Sequence, residues 1–299
     1  MQILQTSLLP NFFIVGAPKC GTTAWTTYLS TNREIFVSTP KEPHFFNTDL
    51  PGFRWTKTTE EYLSLFSHAD GAKKIGEASV MYLYSEQACE NIFNFNPEAR
   101  ILIFVRDRYE FLLSYHRQLL YNFDEDEHDF FRAWRQSENR TKFTKTCREP
   151  SLLNYKAIAR FGEQADKFVR RFGDSQVRII SFENWTRNPR KTYQKIVDFL
   201  GVMDDGREDF FRVNPAHQHR FAILARLTQR PPRLAKIASR ALRATLGLKS
   251  LRLGRTLRKM NTIENSIAPL KNISVQEEIT KVYDKDQILL NNLILRVGI

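Results

Sequence analysis

The chain has 299 residues, 42% hydrophobic and 26% charged, with 12 Gly and 12 Pro, proportions that exclude collagen-like, low-complexity and disordered classes. Its formal net charge of +12 is unevenly placed, because residues 210–263 hold thirteen basic side chains and no Asp or Glu while the remainder is near neutral. That pattern argues against a general nucleic-acid binder and for a local anionic partner.

The length suits one large α/β domain or two small ones. Three cysteines, Cys20, Cys89 and Cys147, do not make a disulfide framework, so a reducing, cytoplasmic setting is expected. No apolar run reaches the roughly 18 to 20 residues of a membrane span. The opening MQILQTSLLPNFFIVG has no basic n-region and no small-residue cleavage site, so it is not read as a signal peptide.

In chain order, Phe12-Phe13-Ile14-Val15 is a short buried strand, GAPKCGTT follows, and a helix is expected through TAWTTYLS. Ile35-Phe36-Val37 leads into the loop TPKEPHFF. A helix over 58–68 has Thr58 or Thr59 as N-cap ahead of Glu60 and Glu61. Lys74-Ile75-Gly76-Glu77 is a strand end. ILIFV over 101–105 is a strand of the kind buried on both faces of a parallel sheet, and a helix carrying Phe111, Leu112, Tyr115 and Leu119 follows Arg106-Asp107. A helix over 155–172, the strand VRIISF at 177–182, and a helix closing at Gly201 complete the alternation.

Alternating strands and helices predict an α/β fold, a central parallel β-sheet flanked by helices on both faces. One domain over 1–299 is expected. Its core is 12–203, 210–263 is a basic amphipathic helical segment broken at Pro231-Pro232, and 268–299 ends in a helix over about 276–296 that packs on the core. The basic segment suits a solvated helical face, an anionic membrane surface or an acidic glycan; no nucleic acid is expected.

The chemistry concentrates first in Gly16-Ala17-Pro18-Lys19-Cys20-Gly21-Thr22-Thr23, between a strand and a helix. Glycines let backbone amides approach an anion, and a helix N-terminus adds partial positive charge. A nucleotidase P-loop needs GxxxxGK[ST]; here Thr22 replaces the lysine and the cation moves inside the loop, to Lys19. The best candidate strand for a Mg²⁺ partner ends in Arg106 before Asp107. The loop is suited to an anion held by amides, two hydroxyls and an ammonium, without metal.

Pro18-Lys19-x-Gly21-Thr22-Thr23 resembles the 5′-phosphosulfate loop of sulfotransferases that use 3′-phosphoadenosine 5′-phosphosulfate (PAPS). The resemblance implies a P-loop-like single domain in which Lys19, Cys20, Gly21, Thr22 and Thr23 hold the phosphosulfate and adenosine 3′,5′-bisphosphate is the product. It also implies that Lys19 neutralises charge building on the bridging oxygen. Arg106 and Ser114, eight residues apart, resemble the family's 3′-phosphate pair, a planar guanidinium fork plus a hydroxyl. The stretch 168–202, through Glu183-Asn184-Trp185 to Phe199-Leu200-Gly201, resembles a further part of the same fold. Arg108 stands where proline is usual and Phe111 where arginine often is.

Lys41-Glu42-x-His44-Phe45-Phe46 resembles the heparan-type and bacterial carbohydrate sulfotransferases, whose glutamate is the general base. Transfer to a hydroxyl needs proton removal, and Glu42 and His44, two apart, would share a face of an extended segment. Glu42 is the expected base, His44 its orienting partner, and Lys41 an exposed residue. The acceptor implied is a hydroxyl of a carbohydrate, glycolipid or small metabolite. Two departures fall on the acceptor side: Glu77-Ala78-Ser79-Val80 lacks the lysine of the heparan-type segment, and Asn47 replaces an aspartate.

Other candidates are set aside. The acidic run 124–129 lacks a glycine turn and ligand periodicity and is expected to be a solvated loop. His217 and His219 have no further zinc ligands in view, Arg220 would close over the donor, Cys20 is a spacer, and Trp25 belongs to the core. The rival readings are a P-loop nucleotide kinase and a non-catalytic membrane- or glycan-binding protein on the same fold.

Overall fold

A computed structural model describes residues 9–140, 147–211, 213, 217–219, 221, 225, 261–264 and 272–299. The expectations for Arg220, for the helix pair around Pro231-Pro232 and for most of 210–263 lie outside the described residues.

The order begins β1 (Phe12–Gly16), α1 (Thr22–Leu29), β2 (Ile35–Val37), α2 (Thr59–Ser64), β3 (Lys74–Ala78), α3 (Ala88–Phe95), β4 (Arg100–Val105) and α4 (Arg108–Tyr121). It continues α5 (Phe130–Arg135), α6 (Ser137–Arg140), α7 (Tyr155–Ile158), α8 (Phe161–Phe172), β5 (Val177–Ser181), α9 (Phe182–Arg187) and α10 (Pro189–Leu200). Two strands, β6 (His217–His219) and β7 (Thr262–Glu264), precede the terminal α11 (Ile273–Val282) and α12 (Asp284–Val297).

β1 to β5 form one parallel sheet in the order β2-β3-β1-β4-β5. Every residue of β1 is buried, as is every residue of β4 after Arg100, so the uninterrupted apolar runs are those of strands covered on both faces. β1 sits in the middle, where the chain first moves to one side of the sheet and later crosses to the other. Ligands in such sheets bind beyond the carboxyl ends at this switch point. The loops after β1, β2, β3 and β4 all open there, carrying Lys19, Glu42, Ser79 and Arg106 respectively.

Local signals hold where local chemistry decides. Thr58 closes a capping box with Glu61, Gly201 ends α10 in the left-handed conformation at φ 73°, and Trp25 is fully buried.

Three expectations change. The helix over 155–172 is two helices, α7 and α8, because Asp286 of α12 accepts the amides of Gly162 (3.0 Å) and Glu163 (2.8 Å) and so caps α8 from outside. A Cβ on Gly162 would stand 2.3 Å from the Asp286 carbonyl. The terminal helix is likewise two. The acidic run is not simply solvated: Asp124 is buried against the Arg148 guanidinium (2.6 and 3.1 Å), and buried Glu125 accepts from the Tyr155 hydroxyl at 2.9 Å. Buried carboxylates need such partners, and neither partner is near in sequence.

β6 and β7 pair antiparallel, His217 opposite Glu264, and Tyr121 at the end of α4 meets Thr262 at 3.2 Å. Among the described residues no helix is long and apolar enough to cross a membrane.

Candidate active site

The loop after β1 rests on an aromatic floor. Trp25 meets Trp185 edge-on at 5.8 Å and lies 5.8 Å from Phe104, contacts worth about 0.5–1.5 kcal/mol each beyond burial. Gly21 is the N-cap of α1 at φ 89°, and a Cβ there would come within 2.5 Å of the Trp185 ring, so only glycine fits. No side chain caps α1, which leaves its first-turn amides available to an anion. Cys20 is buried and burial pushes its thiol pKa upward, so it can serve an anion only through its main chain.

Lys19, at φ 62°, extends its ammonium to Gln118 Oε1 of α4 at 3.0 Å, a neutral partner. Burial, then Arg117, then Arg106, lower its pKa below the ordinary lysine value. Three cations therefore crowd one side of the loop. Ser114 is half-buried on α4, one turn before Gln118, on the same helical face. Arg106 lies over the Phe182 ring at 4.5 Å and reaches Glu110 at 3.4 Å, the long limit of a hydrogen bond. A cleft of about 430 Å³ opens beside it, lined by Phe182, Glu183, Thr186 and Arg187. Asp107, the carboxylate a metal reading would need, accepts from the Glu110 amide as N-cap of α4.

Glu42 and His44 do meet: Glu42 Oε2 is 3.2 Å from His44 Nε2. They do so by a different backbone from the extended one expected. Both are left-handed, at φ 66° and 51°, conformations that cost of order 1–3 kcal/mol each and persist only where surroundings over-determine them. The surroundings are visible. Ala78 O accepts from the Glu42 amide (3.1 Å), Ser79 Oγ from that of His44 (2.9 Å), and the Tyr82 hydroxyl from those of Phe45 (2.9 Å) and Phe46 (3.3 Å).

Lys41 is not the exposed residue expected. Its side chain is 19% exposed, and its ammonium lies 2.8 Å from Glu42 Oε1 and 3.4 Å from the Thr22 hydroxyl. Burial raises the Glu42 pKa, but the Lys41 charge and the His44 hydrogen bond outweigh it and hold the carboxyl at about 2.

Glu77 also escaped notice as a site residue. It is fully buried, and one of its oxygens accepts from Tyr62 (2.9 Å) and Tyr82 (3.0 Å). Burial, only partly offset by hydrogen bonds, raises its pKa to about 7. A charged residue at the inner end of a buried strand was the available signal.

A sulfotransferase domain family model matches residues 9–211. The chain is 25% identical over 266 residues to human carbohydrate sulfotransferase 15, covering 71% of this chain and 47% of that protein. It is 34% identical over 111 residues to the membrane-associated sulfotransferase kil1 of Dictyostelium discoideum, covering 36% of this chain and 23% of that one. The chain thus spans less than half the length of these two relatives. Among solved structures, a sulfotransferase from Alicyclobacillus acidocaldarius matches with a TM-score of 0.60 and 28% identity, over 83% of this chain and 99% of that one. With that domain matched over more than half its length, the chain belongs to the sulfotransferase family.

Proposed function

We propose that this sulfotransferase moves the sulfuryl group of PAPS to a hydroxyl of a carbohydrate or a carbohydrate-bearing acceptor. The observation that carries the reading is that one ammonium, Lys41, touches both the anion loop at Thr22 and the proton acceptor Glu42. An anion site and a base stand within a single side chain of each other.

The residues present fit the donor. Burial, then Arg117 and Arg106, disfavour the charged form of Lys19, and burial, then Arg106, that of Arg117; a bound anion would offset both, and the uncapped α1 amides would add to its hold. In this reading Thr22, Thr23 and the main chain from Lys19 to Gly21 hold the phosphosulfate, and Arg106 with Ser114 holds the 3′-phosphate. When the acceptor oxygen bonds to sulfur, the bond from sulfur to the phosphate oxygen breaks. Lys19 neutralises the charge left on that oxygen, and Glu42 takes the hydroxyl proton while His44, fully buried, orients it.

Carbohydrate is the acceptor class because the Lys-Glu-x-His segment and a carbohydrate sulfotransferase among the relatives agree on it. Three cysteines in a chain of this length do not make a disulfide framework, which favours the cytoplasm, and the basic stretch 210–263 suits an anionic membrane surface. The test is a screen of glycan and glycolipid acceptors with sulfur-labelled PAPS. Label is expected to pass to at least one sugar acceptor, and Glu42→Gln should lower that rate about a hundredfold or more. Transfer that survives Glu42→Gln removes Glu42 as base, and transfer from ATP but not PAPS removes the donor.

A further inference from the structure

Glu42 presents a chemical difficulty. A carboxylate held at about 2 is ionised at any working pH, yet it is a feeble proton acceptor, whereas an effective base has a pKa near the pH at which it works. The charged and titratable groups around it are Lys41 and His44 on its own loop, Lys19 on the loop after β1, and Glu77 at the end of β3. His44 is buried and held by its backbone bond to Ser79. Lys19 is tied to Gln118, and Glu77 to two tyrosines.

Lys41 alone of these four already divides itself between the base and the anion loop, at 2.8 Å from Glu42 Oε1 and 3.4 Å from Thr22 Oγ1. Its side chain retains some solvent contact and Glu42 keeps more, 19% against 31%. A flexible ammonium so placed transfers readily to a nearby anion.

Resting on the reading above, we propose that Lys41 is a positioning residue that couples donor binding to base strength: with the loop empty it masks Glu42 Oε1, and a phosphosulfate seated at Thr22 draws the ammonium away and frees that oxygen. The base is then uncovered only when there is a sulfuryl group to transfer. Donor binding before acceptor becomes the productive order. The coupling is reciprocal, as binding linkage requires. If the donor loosens Lys41 from Glu42, then removing the Glu42 charge must leave Lys41 readier for the donor.

Calorimetric titration of PAPS, without acceptor, into wild type, Glu42→Gln, Lys41→Met and the double variant tests this as a double-mutant cycle. Glu42→Gln should tighten PAPS binding about fivefold or more when Lys41 is present. It should have a markedly smaller effect in the Lys41→Met background, where only through-space repulsion is left to remove. Lys41→Arg should restore the coupling. Equal effects of Glu42→Gln in both backgrounds, or weaker binding in Glu42→Gln, would overturn the proposal while leaving the donor assignment standing. PAPS binding to none of the four proteins would overturn the donor reading and this coupling with it. A Lys41 that merely supported the fold would weaken the two Lys41→Met titrations alike without creating the difference between backgrounds, which would overturn the proposal.

Discussion

Arg106 and Arg108 stand two residues apart at the same strand-to-helix junction, and the protein treats them in opposite ways. Arg108 is buried, with its donors on Ala159 O (3.0 Å), Gln287 and Asp286, and its guanidinium lies 5.6 Å from the Phe161 ring and 5.2 Å from that of Tyr283. Asp286 is completed in turn by two amides of α8. Among the described residues Arg106 has one long contact to Glu110 and one aromatic face. Every nitrogen of the Arg108 guanidinium has a partner in the fold, whereas Arg106, among the described residues, is held in place with most of its five N–H donors to spare. Saturation marks a structural charge. Restraint without saturation is what the proposed donor reading asks of Arg106, and Lys19, held among the described residues by one neutral amide, has the same character.

The largest expected effect breaks the saturated side. Arg108→Ala leaves Asp286 buried with its amides but no countercharge, and breaking a buried pair costs about 3–5 kcal/mol. Urea unfolding should show a loss of about 3 kcal/mol, the amides keeping it at the lower end. A loss under about 1 kcal/mol would mean that the α12 anchor is held by packing alone.

On the open side the balance reverses. Arg106→Ala should leave unfolding almost unchanged and weaken adenosine 3′,5′-bisphosphate by about 2 kcal/mol, the scale of a lost charged hydrogen bond. If it destabilises the fold instead, Arg106 is a second anchor and the contrast fails.

A dependence on pH extends the contrast to carboxylates. Glu77 has a raised pKa, about 7, in the folded chain. A raised folded pKa stabilises fully below the ordinary glutamate value and loses that contribution as pH rises through the folded one. Wild type should therefore lose stability between about pH 4.3 and 7 relative to Glu77→Gln, which keeps an acceptor for both tyrosines. Parallel stability curves for the two proteins would show that Glu77 titrates normally.

Much of the fold was legible because strands and caps depend on neighbours in sequence. The apolar runs at 12–15 and 101–105 could be little else than strands, and Gly201 ended a periodic segment. Loop order along the chain also put Lys19 and Arg106 at strand ends. What stayed illegible was the state of each charge. Lys41 read as a surface lysine because nothing near it in sequence shows that Thr22, nineteen residues earlier, lies beside it. Arg108 read as a departure from a pattern, since its partner is 178 residues away. Glu42 and His44 were paired correctly on the wrong backbone, because spacing cannot reveal that Ala78, Ser79 and Tyr82 pin both in left-handed conformations.

By itself, then, the sequence determined the parallel α/β alternation, the anion loop between its two glycines, and the residue types able to bind a donor and take a proton. These follow from side-chain volume, apolar runs and backbone freedom, which act over a few residues. Only the tertiary structure decided which charges are neutralised and which are kept open, and hence how weakly the Glu42 carboxylate holds a proton. Burial and Coulomb interaction fall off with distance in space, and distance in space between loops is settled by the order in which the strands assemble.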